Sequence, residues 1–235
     1  MTSAGEALGR AARSAVSFGR VIAIIRLPSA EGAARVGEIL ADAGLPAVEV
    51  TLTTPGALSA IRELRAAVSG ACLVGAGSVR TAEQAVSAHE AGAQFLVTPT
   101  VRPAVLSATD LPVVCGALTP TEIETAALAG AALVKVFPAS AFGPGYVREL
   151  LAPMPELRLA PTGGITADSV AAYAAAGAVA VGVGSALVDP RLVAAGDWGA
   201  LRSRAAGFLA AATSAFPVDH EPRVPSDGVS PPPTS

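Results

Sequence analysis

Short runs of β-branched and other apolar residues recur along this chain, and an Ala- and Leu-rich stretch with helical spacing follows most of them. Strands that alternate with helical segments are typical of parallel sheets built from β-α-β units. Eight such runs in a chain of 235 residues predict a closed (β/α)8 barrel. A doubly wound open sheet is the alternative, although no run leads into a G-x-G-x-x-G turn with a downstream acid. The eight predicted strands are residues 21–25, 47–52, 72–77, 95–99, 112–116, 133–137, 157–161 and 178–184.

The ends of the predicted helices carry recognisable capping residues. Glycine after the last helical turn supplies a left-handed conformation that other residues rarely adopt. Threonine just before a helix accepts a hydrogen bond from an otherwise unpaired N–H group of the first turn. The sequence therefore predicts helix ends at Gly44, Gly92, Gly130 and Gly177, and helix starts after Thr81, Thr119 and Thr166.

The composition changes near both ends of the chain. Residues 1–20 have a helical pattern that includes Glu6 and lack the apolar core of a secretory signal, so we expect an N-terminal helix. Residues 21–215 hold the strand and helix repeats and are predicted to form the barrel domain. Residues 216–235 are rich in Pro and Ser, cannot bury much apolar surface, and are predicted to be a disordered tail.

The high apolar content raises the question of a membrane span. Hydrophobic residues make up 51% of the chain and charged residues only 15%. The stretch Ser169–Val188 carries no charge and is long enough to cross a bilayer. It is built from Ala, Gly and Val, however, and Gly177 divides it, so we predict a helix followed by a buried strand and no membrane association.

Charge and metal-binding residue types exclude several further classes of protein. The net charge is −3 and no basic run occurs, which argues against a nucleic-acid partner. Two histidines and two cysteines form no group with metal-ligand spacing, so no metal is expected. Cys72 and Cys115 both lie in apolar runs and are predicted to be core residues in a reducing, cytoplasmic environment.

A single lysine interrupts the sixth apolar run. Of the 16 basic residues, fifteen are arginines, and the one lysine is Lys135 in "LVKVF". An amine in a desolvated pocket can lose its proton and attack a carbonyl group to form a Schiff base, whereas a guanidinium group stays protonated. Lys135 is therefore predicted to be a Schiff-base nucleophile; the structural alternative is a side chain that extends along the strand towards solvent.

Two further charged residues are candidates for the site. The side chain of one is expected to point into the barrel, and the other lies at the end of a strand, at the mouth of the barrel. Glu49 in "AVEVTL" is predicted to be a general acid and base beside Lys135, with a structural ion pair as the alternative. Arg26 ends the first strand, at the carboxyl-terminal mouth where barrel enzymes place their chemistry. It is predicted to bind a substrate carboxylate or to pair with Glu49; the alternative is an ordinary surface arginine.

Glycine-rich turns follow the last two predicted strands. They are "PTGGIT" (161–166) and "GVGSAL" (182–187), and each leads into the start of a helix. Paired turns after strands seven and eight form the usual phosphate site of this barrel. They predict a phosphate-binding site, although tight turns without a ligand are the alternative. A third turn, "GAGSV" (75–79), offers the hydroxyl group of Ser78 at the same mouth.

These motifs together resemble one known family. "VEVTL", "GAGSV", "VTP", "LVKVFPA", "PTGGI" and "GVGSAL" are similar to motifs of the 2-keto-3-deoxy-6-phosphogluconate (KDPG) and 4-hydroxy-2-oxoglutarate (KHG) aldolases and their phosphogalactonate relatives, over roughly residues 15–210. The resemblance implies a (β/α)8 barrel, a homotrimer, and a metal-independent class I aldolase that needs no cofactor.

The resemblance also implies roles for individual residues. Lys135 matches the Schiff-base lysine, Glu49 matches the proton-transfer glutamate, and Ser78 stands where the family usually has a pyruvate-binding threonine. Pro99 and Phe137 match residues that wall the pyruvate pocket. The residues that match contacts to the substrate hydroxyl and phosphate groups are Thr162, Gly163, Gly164, Gly184 and Ser185.

The chain departs from the family pattern at several positions. Thr53 stands where some members carry an arginine that holds the pyruvate carboxylate, and we infer that Arg26 supplies the missing charge; both are candidate substrate-binding residues. Cys115 replaces a proline before Gly116. Thr162 resembles the gluconate-type enzymes, whereas "FPASAFGP" (137–144) resembles the galactonate group, so the sugar epimer stays open.

The expected reaction is the reversible cleavage of 2-keto-3-deoxy-6-phosphogluconate, or a close analogue, into pyruvate and glyceraldehyde 3-phosphate. The phosphogalactonate epimer and 4-hydroxy-2-oxoglutarate are alternative substrates. A phosphate-binding barrel synthase or isomerase that forms no Schiff base is an alternative of a different class, and it would tolerate Lys135→Arg. A sugar-phosphate binding protein without catalytic activity is a third.

Overall fold

Seven of the eight predicted strands form one continuous parallel sheet. The structure is a computed structural model, and it describes residues 18–68, 70 and 72–216. The sheet has the strand order β6-β5-β4-β3-β2-β1-β7. Each strand follows its predicted run within a few residues: β1 (Val21–Ile25), β2 (Ala47–Thr51), β3 (Leu73–Gly77), β4 (Phe95–Val97), β5 (Val113–Ala117), β6 (Leu133–Val136) and β7 (Val181–Val183).

The seventh predicted strand, residues 157–161, is an extended segment that closes the barrel between β6 and β7. Leu159 bridges Val134 of β6, and Thr162 bridges Gly182 of β7, both in parallel orientation. The N–H of Ala160 donates to Val134 at 2.8 Å, and the N–H of Gly182 donates to Pro161 at 2.9 Å. Pro161 has no N–H to donate, so the pairing with β7 lacks one hydrogen bond of a regular ladder. The prediction of a (β/α)8 barrel is confirmed, and this segment completes the wall of the barrel beside the seven strands.

Helices follow the strands and cover the outside of the barrel. The longest, α9, packs against α1, α7 and α8. Short 3₁₀ turns occupy Ala139–Ala141 and Ala167–Ser169. The α-helices are α1 (Ala33–Asp42), α2 (Ala57–Ala67), α3 (Ala82–Glu90), α4 (Pro103–Leu106), α5 (Pro120–Leu128), α6 (Gly143–Leu151), α7 (Val170–Ala175), α8 (Pro190–Ala195) and α9 (Trp198–Ala215).

The predicted helix caps are present. The four glycines at positions 44, 92, 130 and 177 all have positive φ, between 88° and 98°. The side chain of Thr81 accepts a hydrogen bond from the N–H of Gln84. Thr119 forms a reciprocal capping box with Glu122, and Thr166 forms one with Ser169. These local signals are therefore sufficient to place the helix ends.

Apolar side chains fill the lower half of the barrel interior, at the amino-terminal ends of the strands. Phe18 is completely buried there and meets the ring of Phe95 edge-on, with 5.0 Å between the ring centroids. Ile22, Val114 and Leu133 belong to the same interior cluster. A larger cluster lies between the strands and the helices. Since both faces of the sheet are covered, the strands are apolar throughout, and a polar residue inside the barrel stands out.

Glycines at inward positions make room for larger side chains on neighbouring strands. Gly75 is paired in register with Phe95, and a methyl group on Gly75 would overlap the Phe95 ring. A methyl group on Gly77 would overlap the carboxylate of Glu49, and one on Gly182 would overlap the hydroxyl of Thr162. The upper interior therefore admits the polar side chains of Glu49 and Thr162 because two strands, β3 and β7, present glycine towards it.

The division into a helix at 1–20, a barrel at 21–215 and a tail at 216–235 stays a prediction. Residues 1–17 and 217–235 lie outside the described residues, so the predictions for the two ends of the chain fall almost entirely outside them. Within the part of the chain that the structure describes, no helix has the length and apolarity that crossing a bilayer requires.

We expect Gly75→Ala to lower the free energy of unfolding by about 1–3 kcal/mol, because the added methyl group displaces the buried Phe95 ring. The matched control is Gly207→Ala in α9, where a methyl group meets no atom within 4 Å. That change should stabilise the protein by about 0.5–1 kcal/mol through helix propensity. Urea unfolding of both variants measures the difference, and equal stability of Gly75→Ala and the parent chain would contradict the packing described here.

Candidate active site

A cavity of about 350 Å³ opens at the carboxyl-terminal mouth of the barrel. Its walls come from β1, β6, the closing segment and the turn after β7. Parallel barrels place ligands at this end because the strand-to-helix loops converge there. Eight of the residues predicted from sequence line the cavity, namely Arg26, Lys135, Phe137, Thr162, Gly163, Gly164, Gly184 and Ser185.

Lys135 points into the barrel from β6. It pairs in register with Gly116 of β5, so no side chain on that neighbouring position competes for space. The residue is only 5% exposed, and its Nζ atom lies 5.3 Å from the centre of the Phe137 ring. The amine is therefore held in an enclosed, largely apolar environment with one open side towards the cavity.

Glu49 lies deeper in the barrel, on β2. It is 1% exposed, and its Oε1 atom accepts no hydrogen bond from any described residue. Burial raises the pKa of Glu49 above its ordinary value of 4.5, and the positive charges of Lys135 and Arg26 oppose part of that rise. A buried, incompletely paired carboxylate costs stability, so it is typical of a functional position.

A second, smaller void connects these two groups. It measures about 10 Å³ and has both Glu49 and Lys135 in its walls, together with Thr162. A single water molecule needs about 10–15 Å³ of such space. The arrangement therefore permits a proton to pass between the carboxylate and a molecule bound at Lys135.

Thr162 and the two glycines after it form one side of the mouth. The hydroxyl of Thr162 donates to the carbonyl of Ala160 at 3.2 Å, and Gly163 and Gly164 both have positive φ. The N–H groups of Ala139 and Ser140 donate to the carbonyls of Thr162 and Gly163. The carbonyls of Thr162 and Gly163 are therefore hydrogen-bonded, whereas the N–H of Gly164 has no acceptor among the described residues.

The turn after β7 forms the opposite side of the mouth. The carbonyl of Gly184 accepts from the N–H groups of Leu187 and Val188, both at 2.9 Å. In the described part of the chain, the N–H groups of Ser185 and Ala186 donate to no protein atom. Two turns with unpaired N–H groups across one cavity form a site suited to a phosphate group.

An ion-pair network that the sequence reasoning missed supports this second turn. Asp189 is 8% exposed and binds Arg191 through both carboxylate oxygens. Arg204 of α9 lies 3.7 Å from Asp189 and donates to the carbonyl of Ala186. The one available signal was the Asp-Pro pair that follows the turn, since Asp before Pro is a common helix start.

Besides Glu49, which lines the smaller void, three of the predicted site residues do not line the cavity. Ser78 and Pro99 follow β3 and β4 on the other side of the mouth, and a methyl group on Gly116 would overlap the backbone of Pro99. The hydroxyl of Thr53 donates to Thr51 at 3.1 Å. Their roles in binding stay predictions. In the described residues, no group of three or more His, Cys, Asp or Glu side chains could hold a metal ion.

We expect Glu49→Gln to stabilise the protein increasingly as the pH rises. Because the pKa of Glu49 is raised on folding, the folded chain keeps this proton while the unfolded chain, with a pKa near 4.5, loses it. The parent protein therefore loses stability as the pH rises from 4.5 through the raised pKa, and the glutamine variant does not. Urea unfolding at about pH 5 and about pH 8 measures the gap between the two proteins.

Glu122→Gln is the control with the opposite sign. Hydrogen bonds from the N–H groups of Thr119 and Leu118 lower the pKa of the Glu122 carboxyl, so its charge stabilises the fold above 4.5 and that contribution is lost as the pH falls. Its glutamine variant should therefore lose stability mainly at the higher pH. A gap between Glu49→Gln and the parent that stays constant with pH would contradict the burial argument.

Comparison with known proteins agrees with this geometry. The sequence profile of the KDPG and KHG aldolases matches residues 13–203. The chain is 38% identical over 195 residues to a probable 2-dehydro-3-deoxy-6-phosphogalactonate aldolase of Rhizobium meliloti, covering 81% of this chain and 90% of the relative. It is also 38% identical over 183 residues to a 2-dehydro-3-deoxy-phosphogluconate aldolase of Treponema pallidum, covering 76% of this chain and 87% of the relative.

Among solved structures, the fold is similar to that of the KDPG aldolase of Legionella pneumophila, whose pyruvate was captured as a covalent carbinolamine intermediate. The TM-score is 0.75 at 26% identity, and the match covers 88% of this chain and 98% of the other. The profile match spans more than half of the chain, and both curated relatives exceed 30% identity. This chain belongs to the KDPG and KHG aldolase family.

Proposed function

We propose that this protein is a class I aldolase that reversibly cleaves a 2-keto-3-deoxy-6-phospho sugar acid into pyruvate and glyceraldehyde 3-phosphate. The observation that carries the proposal is the chain's one lysine, buried beside a buried glutamate at the floor of the mouth cavity. No other lysine can serve as the nucleophile, and a structural role would not require an amine in preference to a guanidinium group.

Lys135 forms the covalent intermediate. Its nitrogen lone pair attacks the C2 ketone, and loss of water from the carbinolamine gives an iminium ion. The electron pair of the C3–C4 bond then moves towards the iminium nitrogen, which produces the enamine of pyruvate and releases the aldehyde. Protonation of the enamine at C3 and hydrolysis of the resulting iminium release pyruvate and restore the amine.

Glu49 transfers the protons that these steps require. It accepts the proton of the C4 hydroxyl as the C3–C4 bond breaks, through a molecule of water in the void that it shares with Lys135. Its raised pKa lets the carboxyl group hold that proton and return it to the enamine. One carboxylate can therefore act as base and then as acid within a single turnover.

The mouth binds the two anionic ends of the substrate. Arg26 lines the cavity and forms no ion pair with another described residue, so its guanidinium group is available to the carboxylate next to C2. The unpaired N–H groups of Gly164, Ser185 and Ala186 bind the phosphate. Binding at both ends places the reacting carbons over Lys135. Contacts remote from the reacting bond thereby promote the chemical step.

The phosphogluconate epimer is the first choice of substrate. Thr162, the residue that resembles the gluconate-type enzymes, lies in the cavity wall. The phosphogalactonate epimer is the second candidate, since relatives named for each epimer are equally similar to this chain. 4-Hydroxy-2-oxoglutarate has no phosphate for the two turns to bind, so we rank it below both sugar acids.

Reduction by borohydride in the presence of pyruvate tests the proposal. We expect a covalent adduct on the peptide that contains Lys135, because borohydride reduces an iminium ion to a stable amine. Lys135→Arg should give no adduct and lose at least about 10³-fold in kcat/KM. The assay follows formation of pyruvate from each phosphorylated sugar acid.

Arg62→Lys is the matched control, because it adds an exposed amine on α2 away from the cavity. Peptide mapping should find the adduct at position 135 and none at position 62. If the parent protein forms no adduct, or if Lys135→Arg retains activity, the barrel is a synthase or isomerase that uses Lys135 as an ion-pair partner, and the aldolase proposal is wrong.

We further infer a homotrimer in the cytoplasm, in keeping with the resemblance to the family. The exposed ring of Phe142, which packs against Tyr146 with 4.8 Å between the centroids, offers an apolar contact for a second copy. Light scattering of the purified chain should give the mass of a trimer. The mass of a monomer would contradict this inference without affecting the Schiff-base mechanism.

A further inference from the structure

Three threonines at the end of β2 form a chain of hydrogen bonds. The hydroxyl of Thr53 donates to Thr51 at 3.1 Å, and the hydroxyls of Thr51 and Thr54 lie 3.3 Å apart. Thr51 and Thr54 are buried, with exposed fractions of 0% and 1%. Buried hydroxyl groups in direct contact with one another are held in place by these bonds, so the group is rigid.

The threonine chain ends on the backbone of the neighbouring strand. The N–H of Leu27 donates to the hydroxyl of Thr54 at 3.1 Å. The regular pairing of β1 with β2 stops at Ile25 and Val50. The bond to Thr54 therefore continues the attachment of the two strands past the end of their ladder, and it does so immediately after Arg26.

Arg26 stands between the end of the ladder at Ile25 and the bonded N–H of Leu27. Its side chain is exposed at the mouth, lines the cavity, and forms no hydrogen bond or ion pair with another described residue. Its charge nevertheless acts on Glu49, whose pKa it lowers against the larger effect of burial. With no side-chain partner among the described residues, the backbone position of Arg26 sets the region that its guanidinium group can reach, and Pro28 removes the next N–H that could anchor that backbone.

We propose that Thr54 is a positioning residue for Arg26: its hydroxyl fixes the end of β1 so that the guanidinium group faces the carboxylate of the bound keto acid. This role rests on the proposed function, because it concerns the affinity for that carboxylate. Thr54 is buried and does not line the cavity. Its effect must therefore appear in binding and leave the imine chemistry at Lys135 unchanged.

Thr54→Val tests the role, since valine keeps the shape of the side chain and removes the hydroxyl. We expect KM for the phosphorylated keto acid to rise about fivefold, the equivalent of about 1 kcal/mol, with kcat within about twofold of the parent. Thr54→Ser restores the hydroxyl and should restore KM. Thr125→Val, which removes an exposed hydroxyl on α5, is the control and should leave both constants unchanged.

A double-mutant cycle with Arg26→Met separates positioning from general damage to the fold. If Thr54 acts through Arg26, then Thr54→Val should change KM by less than about twofold in the Arg26→Met background. The same fivefold change in both backgrounds, or no change in the parent, would overturn the inference. Since Thr54→Val can also lower overall stability, urea unfolding is measured on all variants and the kinetics are run where each is fully folded.

Amide hydrogen exchange gives a readout that does not depend on catalysis. The N–H of Leu27 is buried and bonded to Thr54, so Thr54→Val should speed its exchange by more than it speeds that of Ile24 in the centre of β1. Equal acceleration at both positions would overturn the inference. Failure of the parent protein to form an imine with pyruvate would instead remove the proposed function and would leave the exchange result to decide the structural claim.

Discussion

The burial of two ionisable groups, Lys135 and Glu49, inside one barrel determines what the rest of the structure must supply. Lys135 and Glu49 share a void that apolar strands surround, and Oε1 of Glu49 has no hydrogen-bond partner among the described residues. Ionised groups are costly to remove from water, and proteins accept that cost where the groups perform chemistry. A fold that buries this pair must obtain its stability from other parts of the chain.

The barrel meets this requirement by dividing its interior into two levels. Phe18, Phe95 and Leu133 fill the lower level and supply apolar contacts that the upper level gives up. Gly77 and Gly182 leave space in the upper level for the side chains of Glu49 and Thr162. The same strands therefore provide a packed core at one end and a reactive cavity at the other.

The sequence predicts most of this architecture because the relevant signals are local. Strand runs, capping threonines and the glycines after helices each depend on a few adjacent residues, and all were placed within a few positions. Pro161 removes one hydrogen bond between the seventh run and β7, an effect that depends on which neighbour each N–H would face. The solitary lysine and the two glycine turns also stand out without reference to other strands.

What the sequence does not reveal are the contacts between residues far apart in the chain. Three such contacts join separate elements. They are the close approach of Gly77 to Glu49, the hydrogen bond from Leu27 to Thr54, and the hydrogen bond from Arg204 to Ala186. Patterns of neighbouring residues do not predict such pairs, because the closure of the barrel determines which distant residues meet. For the same reason, the sequence presents Thr53 as a candidate substrate-binding residue but does not reveal that its hydroxyl is bonded to Thr51.

The closing segment is joined more firmly to one neighbour than to the other. On the β6 side, the carbonyl of Arg158 accepts from Val134, and the N–H groups of Ala160 and Thr162 donate to Val134 and Val136. On the β7 side, the carbonyls of Leu159 and Pro161 accept hydrogen bonds, but Pro161 has no N–H to give in return. Regions with fewer hydrogen bonds open at lower free energy, so thermal opening of the cylinder is favoured between this segment and β7. Aldehyde entry and departure can then proceed by flexing that seam while the imine-forming wall on β6 stays still.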